Sequence, residues 1–245
     1  MKALFIGDIH GLTIWSDIVS KHTDVDQIVF MGDYFDSFDI PGIDQLHNFK
    51  EIIRFIESTD IKVTLLIGNH DHHYWGSDKR YKGYQGAMAF QFYDALEENK
   101  KHLQVAEIID DILLTHAGVS PVWMDDNIDG WTIDTIKDDL NDLFKYRPRS
   151  FNFVNIIGSD YDGTGDSVES SPFWIRERSL LKSNKRDKVI KDVYRQVVGH
   201  TNMGNIFKSF KASKHKRGDK YFFIDTLPSK GYVIYDNGEL IPMEL

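Results

Sequence analysis

Cysteine is absent from the 245-residue chain, which at once excludes disulfides, thiolate zinc sites and cysteine nucleophiles. No apolar run approaches the roughly 18 residues that a membrane-spanning helix needs. The short N-terminal run from Met1 to Ile6 lacks the length and the cleavage site of a secretory signal. Positive charge is in deficit, with 29 Lys and Arg against 38 Asp and Glu and a net charge of −9. That balance disfavours non-specific DNA binding, which depends on neutralising phosphates, but leaves room for a local basic pocket. Internal repeats and low-complexity tracts are missing as well. What is there, 41% apolar and 27% charged residues, is ordinary globular usage and excludes disordered, collagen-like and coiled-coil chains. The expectation is a soluble, cytoplasmic protein of one domain over residues 1–245, large enough to bury a full core.

Short apolar runs stopped by glycine punctuate the chain. Ala3–Ile6 leads into Gly7-Asp8-Ile9-His10, Ile28–Met31 into Gly32-Asp33, and Val63–Ile67 into Gly68-Asn69-His70-Asp71. Ile112–Leu114 leads into Thr115-His116-Ala117-Gly118, and Val197-Val198 into Gly199-His200-Thr201. Such runs read as buried strands, and their near-continuous apolarity implies sheets covered on both faces. Helical spacing over Leu12–Lys21, Ile43–Ser58, Gln85–Asn99, Thr132–Phe144 and Lys182–Gln196 fills the gaps, giving an α/β layered fold. Tyr221–Asp225 and Tyr232–Tyr235 read as further strands, and Asp236-Asn237-Gly238 is a hairpin turn. Polar, Gly/Ser/Asp-rich Tyr146–Ser171 reads as a surface loop or an insertion.

Five strand-like runs thus end in Gly and a metal-type side chain, and strand carboxyl ends are where open α/β folds place their sites. The set is Asp8, His10, Asp33, Asn69, His116 and His200. Carboxylates, an amide oxygen and imidazoles suit Mn, Fe, Zn or Ni. On an extended chain Asp8 and His10 project to one side and can grip one ion. Asp33, with two oxygens, can bridge two ions about 3.5–4 Å apart. The glycines are expected to serve tight turns.

Gly7-Asp8-Ile9-His10-Gly11, Gly32-Asp33-Tyr34-Phe35-Asp36, Gly68-Asn69-His70-Asp71, His116-Ala117-Gly118 and Gly199-His200-Thr201 together resemble the calcineurin-like metallophosphoesterase superfamily. The likeness is to its serine/threonine phosphoprotein phosphatase branch, with bacterial and phage relatives that include diadenosine tetraphosphatases. It implies a four-layer α/β/β/α sandwich with a dimetal centre. Metal one would take Asp8, His10 and Asp33, and metal two Asp33, Asn69, His116 and His200. Mn is the first choice of metal. His70 would be the general acid, oriented and kept protonated by Asp36, and a metal-bridging hydroxide the nucleophile.

That branch carries Arg directly after the position of Asp36, and here Ser37 stands there. Phe173-Trp174-Ile175-Arg176 resembles the Trp-x-Arg segment of bacterial relatives, which makes Arg176, with Asn69, the expected phosphate binder. Arg178, Lys79-Arg80, Arg147 and Arg149 are the alternatives. His72 and His73 extend the third motif without a family role. Basic Lys208–Lys220 reads as a solvated loop, acidic Asp125–Asp142 as an exposed helix face with its preceding loop, and Trp15 and Trp131 as packing in or near the core. The expected activity is phosphomonoester hydrolysis on phosphoprotein or a small phosphoester. A dinucleoside polyphosphate hydrolase or phosphodiesterase of the same fold is the first rival, and a non-catalytic binding protein the second.

Overall fold

The computed structural model describes residues 1–154 and 166–245. In chain order the first half holds β1 (Lys2–Ile6), α1 (Ile14–Ser20), β2 (Gln27–Phe30), α2 (Gly42–Ser58), β3 (Lys62–Leu66), α3 (Asn69–Trp75), α4 (Ala89–Glu98) and β4 (Leu103–Gln104). Then come β5 (Ala106–Ile109), β6 (Ile112–Thr115), α5 (Pro121–Asn127), α6 (Ile136–Tyr146), α7 (Glu177–Arg186), α8 (Val189–Val193), β7 (Arg195–Asn202), α9 (Ile206–Lys216), β8 (Tyr221–Asp225), β9 (Gly231–Asp236) and β10 (Glu239–Glu244).

Two mixed sheets result. One runs in the order β10-β9-β1-β2-β3-β4, with β1 to β4 parallel and the β9–β10 hairpin antiparallel on the other edge of β1. The other runs β5-β6-β7-β8. Period-two alternation divides each apolar strand between two partners. Leu4, Ile6, Ile28, Phe30 and Leu65 face α1, α2 and α4 through Trp15, Ile18, Phe49 and Phe92. Ala3, Phe5, Val29 and Met31 instead meet Ile112, Leu114, Val197, Phe222 and Ile224 of the second sheet. That sheet turns Leu113 toward Trp123, Leu140 and Phe144 of α5 and α6, and Phe223 toward Leu180 of α7. The four layers are helix, sheet, sheet and helix, which is why the strands are apolar throughout.

Three sequence expectations shift. Lys182–Gln196 is not one helix: α7 starts earlier and stops at Arg186, because Asp187 turns extended and its side chain accepts from the Val189 N–H. Arg195 already belongs to β7. Lys208–Lys220 is mostly helix α9, capped by Asn205 and buried along Ile206, Ser209, Phe210 and Ser213, with its lysines outward. Of Tyr146–Ser171, residues 155–165 lie outside the described residues, while Phe151 and Val168 on either side of them are buried. Trp15 is buried and Trp131 packs against the α5–α6 cluster.

Candidate dimetal site

The carboxyl ends of β1, β2, β3, β6 and β7 converge on one cleft, with His200 inside the last residues of β7. Asp8 and His10 are brought together by a turn and not by strand alternation: β1 ends at Ile6, and His10 sits at φ 42°. The N–H groups of Ile9, His10 and Gly11 donate to the carbonyls of Gly32, Asp33 and Tyr34, lashing the first loop to the second. Asp33, Asp36 and His200 also hold positive φ, at 53°, 66° and 58°. Left-handed backbone is uncommon away from glycine, Asp and His being among the residues that tolerate it best, and such conformations persist where surrounding structure fixes them. His200 owes its direction to a register shift between Val198 and Asn202 where β7 meets β8.

Two glycines are needed for space and not for a turn. A Cβ on Gly68 would lie 2.0 Å from Asp33 Oδ1, and one on Gly199 would lie 2.0 Å from Asp8 Oδ1. Tight turns, the role expected of these glycines from sequence, do not account for them, since neither takes a positive φ.

Among the described residues ligand-type atoms form three triads: Asp36, His70 and His73 make one, and the other two share one carboxylate. Asp8, His10 and Asp33 present atoms within 4.8 Å of one another, and so do Asp33, His116 and His200. Backbone carbonyls fix the imidazoles. His10 Nδ1 donates to Phe35 O (2.7 Å) and His116 Nδ1 to Met31 O (2.8 Å), so each Nε2 offers a lone pair inward. His116 Nε2 then faces Asn69 Oδ1 at 3.0 Å and Asp33 Oδ2 at 3.4 Å. Three acceptors pointing at one another are stable only around a cation or an added proton. Burial works against a proton there, but the charges of Asp33 and Asp8 raise His116 to about 10. His200 Nδ1 lies 2.8 Å from Asn69 Oδ1, and its Nε2 is buried without a hydrogen-bond partner. Burial, then the neighbouring His116, hold His200 well below the usual histidine range. Burial and Asp225 raise Asp8 well above a normal carboxylate, whereas His116 and His70 pull Asp33 well down against its burial. Buried carboxylates, orphaned imidazole nitrogen and an O/N donor set fit two hard-to-borderline divalent ions.

At the edge of this cluster His70 Nδ1 sits 2.9 Å from Asp36 Oδ2, while the His70 backbone N–H donates to Asp33 Oδ1. Burial lowers the His70 pKa, but the charge of Asp33 and the Asp36 bond raise it more, leaving it above the ordinary value. Asp71, at the fourth position of the third motif, is a brace: its carboxylate accepts from the N–H groups of Asp33, Tyr34 and Gly68.

The cleft encloses a cavity of about 240 Å³, and Arg176 lines it together with His70 and His200. Glu177 does not neutralise Arg176, because it pairs with buried Arg217 at 2.6 Å. The other expected cations do not line the cavity. Lys79 bonds Phe153 O, Arg80 lies over Tyr84, Arg147 bonds Asn127 O, Arg149 faces Asp78, and Arg178 starts α7 outward. Lys82 lines it instead, its ammonium 5.6 Å above the ring of exposed Phe38. Ser37 serves the turn that presents Phe38, its Oγ accepting from the N–H groups of Asp39 and Ile40.

Sequence reasoning missed Lys82, Tyr81, Asp225 and the approach of His73 and Tyr74 to Asp36, though it paired Asp36 with His70. Asp225 ends an apolar strand as the others do, but no glycine or histidine flags it. His72 is turned away, its Nε2 donating to Pro148 O at 3.0 Å between Phe144 and Phe173. His73 points to Asp36. Among the described residues no helix is long and apolar enough to cross a membrane.

A family model described as calcineurin-like phosphoesterase matches residues 1–225. Two solved structures share the fold. A protein serine/threonine phosphatase from Saccharomyces cerevisiae, with similarity to human phosphatase PP5, superposes with a TM-score of 0.57 at 15% identity, covering 100% of this chain and 80% of that one. A metallophosphoesterase from Sphaerobacter thermophilus gives 0.50 at 13% identity, covering 100% and 88%. None of the curated proteins matches the chain.

Proposed function

Because this chain belongs to the calcineurin-like phosphoesterase family, we propose that it is a metal-dependent phosphatase that hydrolyses phosphomonoesters with alkyl leaving groups, such as phosphoserine and phosphothreonine, as a single cytoplasmic domain. Asp8, His10 and Asp33 would hold one divalent ion, and Asp33, Asn69, His116 and His200 the second, with Mn the first choice. The observation that carries the reading is the sharing of Asp33 by two ligand triads, with a protonatable imidazole directly beside them. Ions bound there would lower the pKa of water and offset charge on the phosphoryl oxygens.

The chain's own groups do the rest. Arg176 and Lys82 approach the cavity as cations free of carboxylate partners among the described residues, and they bind and orient the phosphate. His70 donates its Nε2 proton to the departing oxygen. Asp36 holds Nδ1 and favours the imidazolium. A positioned acid matters for alkoxides, which leave poorly without a proton, and that is the support for alkyl phosphates. A second reading, hydrolysis of nucleoside polyphosphates, is favoured by Phe38, which is 72% exposed at the cavity rim and able to stack a base.

Turnover of Mn-loaded protein on phosphopeptides, p-nitrophenyl phosphate, dinucleoside polyphosphates and phosphodiesters tests the choice. Fastest kcat/KM on monoesters is expected. Faster cleavage of pyrophosphate bonds or diesters overturns it.

A further inference from the structure

We propose that His73 is a positioning residue for leaving-group protonation, acting through Asp36 as a second histidine on the carboxylate that orients His70. The inference rests on the reading of His70 as proton donor.

Two hydrogen-bond donors, His70 and Tyr74, and the closely approaching His73 Nε2, which stands at ion-pair distance without hydrogen-bond geometry, meet on one buried carboxylate. Asp36 Oδ2 lies 2.9 Å from His70 Nδ1 and 2.6 Å from His73 Nε2, and Asp36 Oδ1 accepts from the Tyr74 hydroxyl at 2.5 Å. The His73 and Asp36 side chains are both fully buried. The Tyr81 N–H points at His73 Nδ1 at 3.4 Å, which leaves the proton of a neutral ring on Nε2, the atom aimed at Asp36. Burial by itself raises the Asp36 pKa, but the bonds from His70, His73 and Tyr74 hold it below the ordinary carboxylate value. Asp36 therefore favours the anion, held by Tyr74 and His70 and approached on a further side by His73.

This group is itself packed in place. His73 stacks near Tyr81 (ring centroids 6.0 Å, planes 9° apart) and meets Tyr84 edge-on at 5.2 Å. Between those tyrosines Gly83, at φ 97°, passes so close that a Cβ would lie 3.1 Å from Asp36 Cβ and 3.3 Å from His70 Cε1. The Tyr81–Tyr84 turn covers Asp36 and His73, and a carboxylate shielded from water interacts more strongly with its fixed donors. His73 does not line the substrate cavity, whereas His70 and Tyr81 do. Its effect has to pass through Asp36.

The test compares kcat on an alkyl phosphate with kcat on p-nitrophenyl phosphate, whose leaving group departs without a proton, in Mn-loaded wild-type, His73→Leu, His73→Gln and His70→Asn proteins of measured metal content. His73→Leu should lose roughly tenfold on the alkyl substrate, a fraction of the 10²–10⁴ that a general acid supplies, and little on the aryl one. His73→Gln, whose amide donates from nearly the same place as Nε2, should recover most of that loss. Equal losses of His73→Leu on both substrates, or no recovery in His73→Gln, overturn the role of His73 while leaving that of His70 standing. If His70→Asn shows no leaving-group dependence, the proton-donor reading falls and this inference with it.

Discussion

His72 offers a stability test that no catalytic assumption enters. It lies fully buried between Phe144 and Phe173, with Nε2–H donating to Pro148 O and Nδ1 without a partner. Burial, the largest influence, lowers its pKa from 6.5 to about 4, the Pro148 bond opposing. As pH falls below 6.5 the unfolded chain takes up a proton that the folded one refuses until about pH 4. The contribution of His72 is therefore intact above pH 6.5 and is lost between 6.5 and 4. At pH 5 the linkage integral over that shift amounts to about 2 kcal/mol, and at pH 8 to nearly nothing. His72→Phe keeps the ring and its two aromatic neighbours, removes the titration, and gives up one hydrogen bond of about 1 kcal/mol. Urea unfolding with a chelator present should find the variant about 1 kcal/mol less stable than wild type at pH 8, and about 1 kcal/mol more stable at pH 5. A wild-type-minus-variant difference that stays constant from pH 8 to pH 5 would refute the argument.

Asp33→Asn should bind less than one equivalent of Mn by elemental analysis and lose measurable turnover, because Asp33 belongs to both triads; two bound ions with full activity would remove it from the centre. Arg176→Ala should keep its metals and lose roughly ten- to hundredfold in kcat/KM on monoesters, the worth of one charge-assisted bond to phosphate, with Lys82→Ala showing a smaller loss in the same assay. Gly199→Ala places a methyl 2.0 Å from Asp8 Oδ1 at a backbone geometry that alanine adopts freely, so Mn titration should show weakened binding at one of two sites while the thermal midpoint of the metal-free protein moves by a few degrees at most.

The architecture was readable because each motif sits where an apolar strand stops, and burial on both faces writes strands as unbroken Val/Ile/Leu/Phe runs. The β9–β10 hairpin announced itself through Asp236-Asn237-Gly238, where Asn237 and Gly238 both take positive φ. Strand-end spacing could not predict that Asp8 and His10 converge through a left-handed turn, or that Gly68 and Gly199 stand back from carboxylates. Those facts belong to loops packed on other loops. Lys82 and His73 were hidden for the same reason. The substrate side of the cleft is built by Phe38, the Tyr81–Tyr84 turn and Trp174, segments with no periodicity that meet only in the folded chain. Periodicity also overran α7 into β7, since an Asp at the end of a helix competes for the backbone in a way that apolar spacing does not record.

The strand that delivers the first two ligand-type residues is also the one that waits longest for its neighbours. β1 pairs with β2 on one side and on the other with β9, whose residues leave the ribosome more than 200 positions later. The Met1 ammonium donates to Asn237 Oδ1, and the Asn237 N–H to Met1 O, so the two ends are clasped directly. During synthesis, therefore, one whole edge of an apolar parallel sheet stands open until the β9–β10 hairpin arrives, and open edges recruit other chains. A nascent chain can thus hold most of its layers while β1 still lacks its β9 edge.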